Sequence, residues 1–292
     1  MESRGILVWA LQVAVVVSGC GAVATNDKSD PQPEEMPLAS LAGGGPLVLE
    51  GVDDPALVEF FAKRVNVFGV DVVATAVTSD DKVLHAANVM AQYLDNDEDG
   101  IIDNPALVDT MIEQKALLIM FADFDELENS GLRGSPLRDQ YRMQDCEGHE
   151  TNPEEGFDAS LEEVLHLISA TGYSELYPDV FGEGAGTELA AAMDLARGGQ
   201  FETIPDPYPD GAWYTYDDET CEYECMAGEY FYWALTSILG AQADPERCDQ
   251  ISNEWRPCTT EQVASMDPAV YALMTNPEYK MPTVLPDGKY RP

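Results

Sequence analysis

Apolar residues recur at helical spacing through much of this chain and crowd together in two short early segments, and the two kinds of segment are unevenly distributed. Val70 to Val77 is rich in β-branched residues and predicts a strand, and the short apolar run Ala116 to Phe121 predicts a second, buried one. Helical periodicity marks Asp54 to about Arg64, residues 81–94, residues 105–114 and Ser160 to Ala170. Further helices are expected at about 186–197, 220–240 and 260–274. Asn129 to Phe157 shows no period and reads as loop-rich. The expected fold is α+β and predominantly helical, a small early sheet followed by a helical half.

The N-terminus adds a different signal. Arg4 precedes an apolar run, Ile6 to Val17, that is too short to span a bilayer, so residues 1–19 read as a secretory signal peptide. Residues 20–45 are rich in Pro, Gly, Ser and acids and read as a tether, which leaves 46–292 as one domain. Val17-Ser18-Gly19-Cys20 resembles a bacterial lipobox, in which the cysteine is lipidated and becomes the first mature residue. The resemblance implies a cell-envelope lipoprotein held to a membrane by a lipid anchor. Gly21, in place of an aspartate after that cysteine, points by the same resemblance to the outer membrane or cell surface. Ordinary cleavage near Ala24, with release, is the alternative.

Charge and cysteines narrow the class. The net charge of -39, from 54 acidic against 15 basic residues, repels nucleic acid and anionic membranes, so no nucleic-acid partner is expected. Beside Cys20 there are Cys146, Cys221, Cys225, Cys248 and Cys258. In an oxidising compartment the last four predict two disulfides. Cys221 and Cys225, one helical turn apart, are each expected to pair with Cys248 or Cys258 rather than with each other.

Asp95-Asn96-Asp97-Glu98-Asp99-Gly100-Ile101-Ile102-Asp103 places carboxylates at alternate positions and a glycine where a tight loop must turn. Calcium takes six to eight oxygen ligands, and such a loop can supply them from Asp95, Asp97, Asp99, the Ile101 carbonyl and Asp103. The run resembles the EF-hand and related Asp-x-Asp-x-Asp-Gly loops, over residues 95–106. Position 12, usually a bidentate acid, is Ala106 here, so Asp109 or a distant carboxylate is expected to complete the shell. A single loop without a partner loop points to a structural clamp.

Glu162-Glu163-Val164-Leu165-His166, inside a predicted amphipathic helix, is similar to the His-Glu-x-x-His helix of zincin metallopeptidases. Glu162 stands where that motif has its first histidine, Glu163 keeps the place of the general base, and His166 keeps the second ligand. Carboxylates do bind zinc, at about 2.0–2.2 Å. The resemblance implies a third ligand from a later helix, and Glu229, an acid in an otherwise apolar and aromatic segment, is the candidate. Asp217 and Asp218 are alternates. Two early strands ahead of the motif helix and a helical half behind it also resemble the zincin layout. His85 is expected in the core or facing His166, and His149 in solvent. No second Glu-x-x-His for a di-iron bundle and no Gly-x-Ser-x-Gly elbow is present. Gly182-Glu183-Gly184-Ala185-Gly186 reads as a flexible lead-in to the helix at 186.

Two functions follow. One is a calcium-binding envelope lipoprotein whose zincin-like site hydrolyses peptides with zinc. The other is a non-enzymatic, calcium-stabilised surface or binding protein.

Overall fold

The computed structural model describes residues 47–292, so the expected signal peptide, Cys20 and the expected tether lie outside the described residues. A five-stranded mixed sheet comes first and helices follow, giving the expected α+β fold. Its order is β1 (Glu50–Gly51), β2 (Lys63–Val67), β3 (Val70–Ala74), β4 (Ala116–Phe121), β5 (Arg142–Glu147). The first three strands pair antiparallel, while β3 with β4 and β4 with β5 are parallel.

β4 is buried at all six positions, as a central strand covered on both faces must be. The period of two divides its side chains. Leu117, Ile119 and Phe121 join Leu57, Phe61, Leu127, Leu132 and Leu137 on one face. Leu118 and Met120 turn to the other, under the helices. Parallel pairing of β3 with β4 requires a crossover, supplied by α1 (Asp80–Leu94), the acidic loop and α2 (Pro105–Glu113). Asn104 caps α2 through the Leu107 amide, and Pro105 takes the first position, where no N–H is needed.

A second crossover through α3 (Phe124–Asn129) leads to β5 and then to α4 (Ser160–Ile168). A π-turn (Ser169–Tyr173) and the short α5 and α6 (Ser174–Leu176, Pro178–Phe181) follow. Gly172 allows this turn to lie against α2, since a Cβ there would sit 2.7 Å from Leu107 Cδ1. Next come α7 (Glu188–Arg197) and α8 (Tyr223–Leu239), which end at Gly198 and Gly240 with φ of +78° and +92°. The chain closes with α9 (Pro245–Gln250), α10 (Thr260–Met266) and α11 (Pro268–Met274). No helix among the described residues is long and apolar enough to cross a membrane.

Several expectations are corrected. The segment 54–64 is a turn running into β2, because Val65 and Val67 alternate inward and Phe68-Gly69, both at positive φ, close a hairpin onto β3. Strand β5 lies inside the segment read as loop. The helix expected over 260–274 is broken at Asp267-Pro268, where Asp267 ends α10 and caps α11. The disulfides are Cys221–Cys225 and Cys248–Cys258, with Cα separations of 5.3 and 5.7 Å. Cys221 precedes the first turn of α8, so the first pair does not lie within one continuous helix.

Candidate metal centres

The residues of the Glu162–His166 motif are positioned from both ends of α4. At its start the Asp158 carboxylate accepts from the Ser160 amide (3.2 Å) and hydroxyl (2.7 Å). Leu161, Val164, Leu165, Leu167 and Ile168 are buried, and Glu162, Glu163 and His166 remain only partly covered. Spacing of four puts Glu162 and His166 one turn apart on the same face. Against that face packs α8, apolar nearly all round, and Glu229 is an acid within it.

These three side chains converge. His166 Nε2 lies 3.4 Å from Glu229 Oε1 and 3.8 Å from Glu162 Oε1, and one ligand atom from each residue falls within 4.8 Å of the others. Their side chains are 12, 4 and 13 % exposed for His166, Glu229 and Glu162. His166 Nε2 and Glu229 Oε2 are buried without a hydrogen-bond partner. A tetrahedral ion with bonds of about 2.0–2.1 Å holds its ligand atoms roughly 3.4 Å apart, so the spacing and the donor types suit a divalent metal of the zinc class.

Electrostatics agree with that spacing. Burial pulls the His166 imidazole down, but Glu229, Glu162 and Glu163 outweigh it, and the net shift is well upward. Burial pushes Glu229 up, against the opposing pull of His166. Glu163 is held well above the ordinary carboxylate range by burial and then by Glu162. Its Oε2 accepts from Gln144 Nε2 of β5 at 2.7 Å. The sheet edge therefore fixes the carboxylate expected to act as base.

Two further groups belong to this centre and were not foreseen. Glu183, read as part of a flexible glycine run, is pushed up to about 7 by burial, against the pull of His166 and Arg142. Its Oε1 and His166 Nδ1 flank the same bare Cα, 3.5 and 4.0 Å from where a Cβ on Gly228 would sit. Tyr232, one turn beyond Glu229, packs its ring 5.6 Å from that of His166, and its hydroxyl accepts from Gln242 Nε2 at 3.3 Å. Its place three residues after Glu229 on one helix is the signal that would have found it.

Other candidates lie apart. Asp217 and Asp218 do not join the cluster, and Asp218 accepts from the Thr220 amide and hydroxyl instead. His85 does not face His166, since its Nε2 binds Asp158 Oδ2 at 2.6 Å. His149 is half exposed, between Glu147 and Glu150.

The acidic loop forms the second centre. Asp95, Asp97 and Asp99 bring their carboxylates within 4.8 Å of one another. Asp95 is buried, and its oxygens accept from the Gly100 amide (2.9 Å), the Asp99 amide (3.3 Å) and the Tyr290 hydroxyl. Asp99 accepts from the Ile101 amide and Asp103 from the Asn96 amide. Glu98 and Gly100 take φ of +55° and +83°, the sharp turn expected of the glycine position. Asp103 is not in the carboxylate trio, and Ala106 sits in α2. The C-terminal segment straps the loop: Asn96 Oδ1 accepts from the Thr283 and Val284 amides, and Gln92 Oε1 from those of Asp287 and Gly288.

Comparison of the chain with protein families, with curated proteins and with solved structures finds no match.

Proposed function

We propose that this protein is a calcium-stabilised cell-envelope lipoprotein carrying a hydrolytic metal centre at Glu162, His166 and Glu229. The observation that carries the reading is a pair of buried, partnerless atoms, His166 Nε2 and Glu229 Oε2, in a cluster where His166 Nε2 lies 3.4 Å from Glu229 Oε1 and 3.8 Å from Glu162 Oε1. A buried donor or acceptor left unsatisfied costs about 1–3 kcal/mol, and a divalent cation removes that cost while neutralising the two carboxylates. When bound, the metal would act as a Lewis acid on a peptide carbonyl and on water. Glu163 supplies the base. Gln144 occupies its Oε2, leaving Oε1 as the atom that takes and returns the proton. Calcium at Asp95, Asp97 and Asp99, with the Ile101 carbonyl and Asp103, would clamp α1 to the C-terminal strap. Two disulfides and the Cys20 lipobox support an oxidising, extracytoplasmic location.

A second reading is favoured by the low exposure of all three ligands: a closed, structural metal site in a non-enzymatic surface protein. Elemental analysis of the purified protein and of His166→Ala separates the cases. One equivalent of zinc, lost in the variant, is the expected result. Peptide hydrolysis that is lost in Glu163→Gln with metal retained then selects the enzyme. Metal without hydrolysis selects the structural site, and calcium alone, unchanged by His166→Ala, retires the second metal centre.

A further inference from the structure

Arg197 is the last residue of α7 and is fully buried, yet it forms no ion pair among the described residues. Its Nη1 donates to the Phe201 carbonyl at 2.8 Å. Its Nε and Nη2 are buried without a hydrogen-bond partner. These two atoms form one edge of the guanidinium fork, whose parallel N–H groups are shaped to grip an anion. A buried charge is expensive unless it is paired, so an arginine sealed away from all 54 acids of the chain calls for negative charge from another source.

The neighbouring groups answer that charge only in part. The C-terminus of α7 offers its dipole, but the carbonyl that reaches the guanidinium, that of Phe201, serves Nη1 alone. The rings of Phe201, Tyr208 and Tyr223 surround Arg197 with centres 5.4, 5.8 and 5.9 Å from Cζ. A guanidinium nitrogen is about 1.3 Å from its carbon, so none comes nearer than about 4 Å to a ring centre. By contrast the Arg247 carbon itself lies 4.1 Å from the centre of Phe157. The rings around Arg197 therefore attract its charge weakly and do not receive its N–H groups. Asp194, one turn back on α7, is engaged elsewhere, its Oδ1 accepting from the Tyr223 hydroxyl at 3.0 Å. The Tyr208 hydroxyl gives its proton to the Tyr216 carbonyl at 2.7 Å and bonds neither orphaned nitrogen.

We propose that Arg197 is a small-anion site, in which one anion lies against Nε and Nη2 beneath the segment 198–211. That segment folds back over the end of α7, with Pro209 Cβ 3.1 Å from where a Cβ on Gly198 would sit. A single-atom halide suits donors shut off from solvent on every side, since it needs no room for a carbon tail. A small carboxylate offers the same chemistry through two oxygens, and the test separates the two. The site is independent of the metal centres, and its readouts do not involve them.

Thermal unfolding is followed at fixed sodium and calcium in chloride, bromide, acetate and gluconate, the last too bulky for a closed site. The natural protein is compared with Arg197→Met, which removes the charge, and with Arg256→Met, which removes an exposed arginine and controls for ions at the surface. At tenfold excess over its dissociation constant, a bound halide should raise Tm by about 3–6 °C over gluconate. The rise should persist in Arg256→Met and vanish in Arg197→Met. Crystals grown in bromide should show an anomalous peak beside Arg197 Nε and Nη2, a readout that needs no variant and decides the matter should Arg197→Met fail to fold. Acetate that matches or exceeds the halides, and does so only with Arg197 present, supports the site with a carboxylate as its occupant. Equal Tm in all four salts with no bromide peak at Arg197 overturns the proposal, and so does an anion effect that Arg197→Met retains.

Discussion

Gly288→Ala is expected to unlatch the C-terminal strap, and its effect can be worked from the geometry. Gly288 has φ of +69°, and a Cβ there would fall 2.0, 2.2 and 2.7 Å from Cε1, Nδ1 and Nε2 of His85, far inside contact distance of the imidazole ring. The ring is buried and tied to Asp158, so it is not the loose end of a flexible chain. Alanine in the left-handed region costs about 1–2 kcal/mol. Relief of the clash then requires either that His85 turn, losing its bond to the Asp158 carboxylate, or that the strap lift from Gln92 and Asp95. Hydrogen bonds of this kind contribute about 1–2 kcal/mol each. The total is about 3 kcal/mol, which for a domain of this size lowers Tm by roughly 6–12 °C. Thermal unfolding with calcium held constant measures it. In a His85→Ala background the same substitution meets no ring, and its cost should shrink to the backbone part, about 1–2 kcal/mol. A Tm within about 2 °C of the parent, or equal losses in the two backgrounds, would refute the reasoning.

Asp95→Asn should weaken calcium binding at least tenfold, about 1.4 kcal/mol by calorimetric titration, since the residue combines the first loop position with the anchor for Gly100 and Tyr290. Cys146 is buried, and burial holds its thiol well above the ordinary range, so thiol reagents should label it only once the protein unfolds; labelling of native protein would contradict its placement. With metals chelated, stability should fall as pH rises. Glu147, Glu183 and Glu254 are each pushed up to about 7 by burial from an ordinary 4.5, so the stability they contribute is complete below about 4.5 and lost on passing 7. Denaturant unfolding at pH 5 and pH 8 checks the sign, and greater stability at pH 8 would reject it.

Much of the fold was legible because its segments carry clear apolar patterns. α1 and α2 carry a 3.6-residue apolar period interrupted by a polar loop, and β4 is an unbroken apolar run. The strands that escaped notice are short or polar. β2 opens with Lys63-Arg64, and Phe68-Gly69 lacks the usual asparagine of a two-residue turn. β5 reads Arg-Met-Gln-Asp-Cys-Glu because it is a half-buried edge strand whose polar side chains answer polar partners, Gln144 reaching Glu163. Within the candidate metal centre, Glu229 was legible because a carboxylate in an aromatic helix is costly without a partner. Glu183 was not, since nothing in Gly-Glu-Gly-Ala-Gly indicates that the run folds back over α8.

The two acidic centres differ in what they ask of a metal. Asp95, the buried member of the loop, has its oxygens engaged by Gly100, Asp99 and Tyr290, so the loop keeps its shape through its own donors. A cation there adds to an arrangement the chain already satisfies. At the other centre no donor among the described residues reaches Glu229 Oε2, and His166 Nε2 meets carboxylates at 3.4 and 3.8 Å without forming a hydrogen bond to either. One imidazolium would bring a single positive charge against Glu162, Glu163 and Glu229, whereas a divalent cation brings two and accepts lone pairs at once. Of the 54 acids most are solvated, and their repulsion is screened by salt. The handful drawn in around His166 are beyond such screening, which is why dependence on a transition metal, rather than acidity as such, is the property expected of this site.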